Sequence, residues 1–238
     1  MKSRAERSLK CGHQDTKKLL VQRHVPGPRH NVYFFAVAGR IINLSEVKIL
    51  RTDATDGTGL AVSGVTIAIT PELENYCHAM VRYLNYSGIG CVQFIVDATH
   101  NFMSFLELNP RLGANFAIVY HAGLDLPKMA IDLVNGRYNV ESTSREEPCK
   151  VGLHYAWTLG ELLSLKESLL TGKTGMGKAF IRLVTIAKTA LTSRVHVMWS
   201  WKDPLPTILL SIRLLPSALH RHILGFIRKR MLSRITSQ

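Results

Sequence analysis

The sequence predicts an α+β fold. Apolar strand runs come in pairs joined by short turns, helix-patterned runs with start and stop signals lie between them, and no regular strand–helix–strand repeat appears. Paired strands on short turns make antiparallel hairpins, so the sheet is expected to be antiparallel with helices flanking it.

Taken in order, the segment around Ala5–Lys18 is polar and compatible with a helix. "KLLVQRHV" (Lys18–Val25) reads as a strand, stopped by the turn "PGPR" (Pro26–Arg29). "NVYFFAVAGRIINLSEVKIL" gives two strands around Ala38-Gly39-Arg40, a hairpin. "TDATDGTGLAVSG" reads as a loop rich in Gly, Thr and Asp. "TPELENYCHAMVRYLNYS" has Thr70 as N-cap, Pro71 at the first helical position and acids in the first turn, so a helix starts there. "GIGCVQFIVDATHNFMSFLELNPR" again reads as two strands, around Asp97–Asn101. "LPKMAIDLVNG" is a short helix closed by Gly136.

A chain of 238 residues with 46% hydrophobic content can bury a sizeable core, as one large domain or a domain with an appendage. The four cysteines (Cys11, Cys77, Cys91, Cys149) form no CxxC pair and read as free thiols rather than a disulfide frame or zinc site. The opening "MKSRAERSLK" has no apolar core of a secretory signal, and no apolar run reaches the ~18 residues of a membrane span. A cytoplasmic location, with attachment to the membrane periphery as a further expectation, follows from these readings.

Charge is distributed unevenly. Residues 150–238 contain 14 Lys+Arg and 3 Asp+Glu, a net +11, whereas residues 1–149 contain 16 and 14, a net +2. The shift falls at the polar, Pro-containing stretch "ESTSREEPCK" (Glu141–Lys150). The expected organisation is therefore a domain over 1–140, a linker over 141–150 and a basic, mainly helical region over 151–238.

Chemistry concentrates in "FLELNPRLGAN" (Phe105–Asn115). On a strand, Glu107 and Asn109 point to the same face, with Arg111 just past the strand end. Across the turn at Asp97–Asn101, antiparallel pairing sets Gln93 roughly opposite Glu107. One carboxylate and two amide oxygens suit a hard cation bound to phosphate, and a nearby guanidinium suits the phosphate itself. From this fragment alone a polar edge strand with ordinary cross-strand hydrogen bonds fits as well.

The order strand, helix, "G-x-G-x-x-Q-F", turn, "F-L-E-L-N-P-R-x-G", "A-G-L-D-L-P" resembles the C-terminal part of the ATP-grasp domain, in the branch that includes carbamoyl-phosphate synthetase and biotin carboxylase. The resemblance covers about residues 18–137. It implies that Glu107 and Asn109 are Mg²⁺ ligands, that Gln93 stands at the family's second Glu or Gln ligand position, and that Arg111 faces the transferred phosphoryl group or the acyl phosphate. It further implies a hinge strand in which Val21, Gln22, Arg23 and Val25 hold adenine and ribose. Arg29, Lys48 and Arg51 become phosphate or substrate contacts, and "TDGTGLA" a glycine loop over the site. The implied cofactors are ATP and Mg²⁺, with Mn²⁺ as an alternative metal. The implied function is that of a carboxylate ligase: an acyl phosphate forms on an unidentified carboxylate and is attacked by an amine or other nucleophile.

The family's full domain also carries a preceding α/β domain and a subdomain with two phosphate-contacting lysines and a Gly-rich loop. None of these is visible before Lys18, so the resemblance implies an N-terminally truncated protein, completed by a missing half or a separate chain. The alternative is a non-catalytic remnant that serves as a basic membrane- or partner-binding module.

Two further patterns compete for attention. "GKTGMGKA" (Gly172–Ala179) resembles a phosphate loop but has Ala179 where Ser or Thr would ligate the metal, and the preceding "LGELLSLKESLL" is helix-patterned where that motif requires a strand. A basic loop between helices is the better reading. "ILLSIRLLPSALHRHILGFIRKRML" (Ile208–Leu232) alternates aliphatics with Arg and His, a basic amphipathic pattern suited to an anionic membrane surface. With Phe226 the one aromatic among the basic residues, a stacking platform is lacking, which argues against nucleic acid.

Overall fold

A computed structural model describes residues 25–54, 59–97, 99–100, 102–138, 149–200 and 202–215, and the statements below concern those residues. The α+β expectation holds. Seven strands form one sheet: β1 (Arg29–Val37), β2 (Arg40–Thr52), β3 (Ala61–Ile67), β4 (Gly88–Asp97), β5 (Phe102–Asn109), β6 (His154–Ala156) and β7 (Val195–His196). Their spatial order is β5-β4-β1-β2-β3-β6-β7. Every pairing is antiparallel except β6 with β7. The helices are α1 (Pro71–Tyr83), α2 (Ala117–His121), α3 (Leu126–Val134), α4 (Thr158–Leu170), α5 (Met176–Thr192) and α6 (Leu205–Ser211).

Both predicted hairpins are present. β1 and β2 turn at Ala38 and Gly39, both at positive φ (46° and 76°), the backbone that a tight two-residue hairpin demands. β4 and β5 pair around Asp97, whose carboxylate accepts from the Thr99 and His100 amides and from His100 Nδ1 at 2.7 Å. The sequence hid β3, because Ala61–Gly64 belong to the stretch read as a loop; small residues that punctuate turns here form a strand between two partners.

Alternation along β1 splits the core in two. Val32, Phe34 and Ala36 face α1, packing with Val92, Phe94, Leu73, Cys77 and Val81. Tyr33 and Phe35 face the other way, packing with Val47, Ile49, Cys91, Ile118, Leu124, Leu126 and Tyr155. Gly90, in the "G-x-G-x-x-Q-F" stretch, is required by close approach: a Cβ there would collide with the Phe34 ring. Helix α1 begins where predicted, but the Thr70 side chain does not cap it. Its hydroxyl (3.0 Å) and amide (2.7 Å) donate instead to the buried Glu46 carboxylate, which also takes His30 Nδ1 at 2.5 Å.

The composition change at residues 141–150 does not coincide with the end of the sheet, because β6 and β7 extend it beyond β3. Asn115 joins the two parts directly, accepting from Tyr33 Oη (2.5 Å) and donating to Tyr155 Oη (3.1 Å), with all three side chains buried. The α4–α5 hairpin closes on Leu165, Ala179 and Ile186. It is tied to β2 by Arg51, which bonds Glu161 through Nε (2.9 Å) and a terminal nitrogen (3.0 Å). Helix α4 precedes Gly172–Gly175, as expected, and Met176–Lys178 already belong to α5, so the motif lacks the strand a phosphate loop needs. The expected helix around Ala5–Lys18, the hinge strand up to His24, most of the 141–150 linker and the basic stretch beyond Leu215 lie outside the described residues.

Candidate functional site

The register places Gln93 of β4 directly opposite Glu107 of β5, with Asn109 opposite Cys91. Directly opposed residues share a sheet face, so Gln93, Glu107 and Asn109 all look the same way. This was the arrangement expected from the hairpin. It survives a register irregularity between Gln93 and Phe94: Glu107 pairs with Gln93 and Phe105 with Phe94, leaving Leu106 unpaired. The extra residue lets Phe105 pack edge-on against Phe94 at 6.2 Å while Glu107 turns to the opposite face. Asn109 Nδ2 donates to Glu107 Oε1 at 2.8 Å, which fixes the carboxylate and leaves the Asn109 amide oxygen for another partner.

A fourth polar side chain completes the row, and sequence reasoning missed it. Asn31 of β1 lies directly opposite Gln93, so Asn31, Gln93 and Glu107 are consecutive cross-strand neighbours over β1, β4 and β5. Asn31 is 3% exposed and its Oδ1 has no hydrogen-bond partner among the described residues. A buried acceptor left without a donor carries a desolvation penalty, which makes it suited to a cation or donor arriving from outside the chain. The one signal in the sequence was an amide at the start of the aromatic run "NVYFF".

One step along the ladder, burial pushes the Cys91 thiol up to about 12, and the Glu107 carboxylate adds to that rise while Arg29 and Arg111 oppose it. Arg111 is exposed and donates one terminal N–H to the Leu112 carbonyl at 3.1 Å. Arg29 shares the Asn31 face of β1 and donates to the Gly59 carbonyl at 3.2 Å, tying the strand end to the edge of the glycine loop. Among the described residues no three His, Cys, Asp or Glu side chains gather into a metal site. A set of one carboxylate and neutral amide oxygens matches a hard, oxygen-seeking cation that keeps phosphate oxygens and waters, and would not suit zinc.

The structure does not bring Lys48 and Arg51 to this site. Lys48 pairs with His30, one residue out of step with the Asn31–Val47 pair, and so lies on the other face of the sheet with Glu46. Arg51 is turned to that same face by the irregularity at Leu50, and its guanidinium is engaged by Glu161 and by Thr189 Oγ1 at 2.8 Å. Of the expected hinge residues, Val21, Gln22 and Arg23 lie outside the described residues, and Val25 is half-buried just before β1.

Comparison with solved structures finds a complete multifunctional pyruvate carboxylase from Rhizobium etli, 21% identical over 56% of this chain and 13% of that one, with a TM-score of 0.46. A biotin carboxylase β,γ-ATP complex from Campylobacter jejuni is 19% identical over 56% of this chain and 30% of its own, at 0.42. The biotin carboxylase domain of Hydrogenobacter thermophilus 2-oxoglutarate carboxylase, in complex with MgADP and bicarbonate, is 18% identical over 53% and 28%, at 0.39. The chain thus spans less than a third of each of these proteins. No curated protein matches it. The family model described as "ATP-grasp in the biosynthetic pathway with Ter operon" matches residues 15–158, more than half of the sequence. That span takes in both hairpins and the Gln93–Glu107–Asn109 row, and the chain belongs to this ATP-grasp family.

Proposed function

We propose that this chain is, or forms part of, an ATP- and Mg²⁺-dependent ligase that activates a carboxylate as an acyl phosphate and passes the acyl group to a nucleophile. The observation that supports the reading is the polar row itself. Gln93 and Glu107 oppose each other, Asn109 is tied to Glu107, and the buried Asn31 oxygen faces the same side unpaired.

The donor set fits Mg²⁺, held by Glu107 with Gln93 and Asn109; when bound, the ion would neutralise phosphate charge and orient the phosphate chain. Mn²⁺ shares this preference for oxygen and is the natural alternative. Glu107 supplies the negative charge, and its hydrogen bond to Asn109 keeps it aimed. Arg111, just beyond β5, would meet charge that develops on a transferred phosphoryl group, the role that the family resemblance implies for it. In the first step a substrate carboxylate oxygen attacks the γ-phosphorus, and the bond to the ADP oxygen breaks. In the second, the nucleophile attacks the acyl carbon, inorganic phosphate leaves, and an amine loses its proton to solvent or a base.

Titration calorimetry with ATP, with and without Mg²⁺, tests the reading. Glu107→Ala is expected to remove the Mg²⁺-dependent part of the affinity, about 10- to 100-fold for one charged contact. Its thermal unfolding stays unchanged, because Glu107 is an exposed side chain outside both cores. An ATP affinity equal to that of the parent, at every Mg²⁺ concentration, would sink the assignment.

A further inference from the structure

Helix α5 does something that no part of the nucleotide site explains. Its buried side is narrow: Ala179 and Ile186 pack on Leu165. Its outward side is apolar as well. Met176 (78% exposed), Phe180 (68%), Leu183 (46%), Val184 (53%) and Leu191 (87%) recur at four-, three- and seven-residue steps and form one stripe along the helix. Ala187, also exposed, fills the stripe between Val184 and Leu191. An exposed apolar row of this length on a surface helix marks an interaction site.

The charges around the stripe say what it faces. Lys188 borders the stripe, one turn from Val184 and from Leu191, and Lys173 precedes the helix; both are exposed. In residues 150–238 there are only 3 acidic residues against 14 basic ones, and one of the three, Glu161, is buried against Arg51. A second copy of the chain is a poor occupant, because a two-fold contact sets the same patch against itself and brings these lysines together on molecules of net charge +13. Among the described residues no helix is long and apolar enough to cross a bilayer. An apolar stripe on a basic helix that cannot span is the signature of a helix lying in the membrane interface.

We propose that α5 seats the protein on an anionic lipid surface, with Met176, Phe180, Val184 and Leu191 entering the headgroup–acyl boundary and Lys188, with Lys173 before the helix, meeting lipid phosphates. The proposal is independent of the nucleotide reading and would survive its failure. The test is co-sedimentation of the full chain with vesicles of phosphatidylcholine containing about 30% phosphatidylglycerol, a fraction that gives the surface a marked negative potential. The chain is expected to sediment with these vesicles, to bind pure phosphatidylcholine at least about tenfold more weakly, and to be released as salt shortens screening from about 10 to about 3 Å. Phe180→Glu with Val184→Glu should lower binding to anionic vesicles by about tenfold or more, since both side chains are exposed and their loss leaves the fold intact.

Two results overturn the proposal. One is no sedimentation with anionic vesicles, whether because an acidic polypeptide or a second copy takes the face or because the chain covers it itself. The other is equal sedimentation of the parent and the double variant, which assigns lipid binding to another basic segment such as 216–238.

Discussion

At the scale of single residues, Glu46 shows how much a side chain outside the site can matter. It is fully buried, yet each oxygen is used: one takes His30 Nδ1 and the Thr70 hydroxyl, the other the Thr70 amide at the entrance to α1. A carboxylate at a helix N-terminus is also favoured by the helix dipole. Glu46→Ala would leave a buried imidazole and an amide unpaired, so it should cost about 2–5 kcal/mol in urea unfolding, at about 1–3 kcal/mol for each buried polar group left unsatisfied. Nucleotide affinity per folded molecule should not change, since Glu46 lies on the face away from Glu107. A loss near zero would mean that water replaces the carboxylate. The same scale separates what could be read from the sequence. Gln93 and Glu107 were legible because only thirteen residues and one turn lie between them, and local pairing follows from the hairpin. Asn31 was not, because its place opposite Gln93 depends on β1 pairing with a strand that arrives only after β2, β3 and α1.

At the scale of elements, the β4–β5 hairpin positions the site, and its turn holds a titratable clasp. The His100 side chain hydrogen bond is the main cause that holds the Asp97 carboxyl below the usual carboxylate range, with the His100 and Thr99 amides adding to it. The sign follows from linkage: the folded pKa is depressed, so the stabilisation is present above the unfolded value of about 3.9 and is lost as pH falls through the folded value. Carboxyl carbon NMR of Asp97 should therefore give a midpoint below about 3.9. In His100→Ala the midpoint should rise toward that value, and a midpoint unmoved by the substitution would show that the amides alone hold it. Strand β3 escaped sequence reading for a physical reason. Its Ala, Ser and Gly carry little apolar signal, and it becomes a strand because β2 and β6 satisfy its backbone on both sides. The bulge at Leu106 was equally hidden, because only the pairing shows that one residue too many lies between Phe105 and Glu107.

At the scale of the whole molecule, two short strands of the basic region, β6 and β7, extend the sheet of the preceding residues. The charge shift at 141–150 is real in the sequence, but β6 and β7 cross it, and Arg51 and Asn115 bond across it. Composition reads where charge changes, not where hydrogen bonds stop. One face of the sheet carries Asn31, Gln93, Glu107 and Asn109, and the other carries His30, Glu46, Lys48 and Arg51. The central claim is that the first face receives the metal-bound nucleotide. Paramagnetic broadening of backbone amide signals by Mn²⁺ with ATP tests that claim most directly, because it reports distance from the metal residue by residue. Broadening is expected to centre on Asn31, Gln93, Glu107 and Asn109, to be weak at α1, and to disappear in Glu107→Ala. Broadening centred on the Gly172–Lys178 segment, or on no residue of β1, β4 and β5, would contradict the claim.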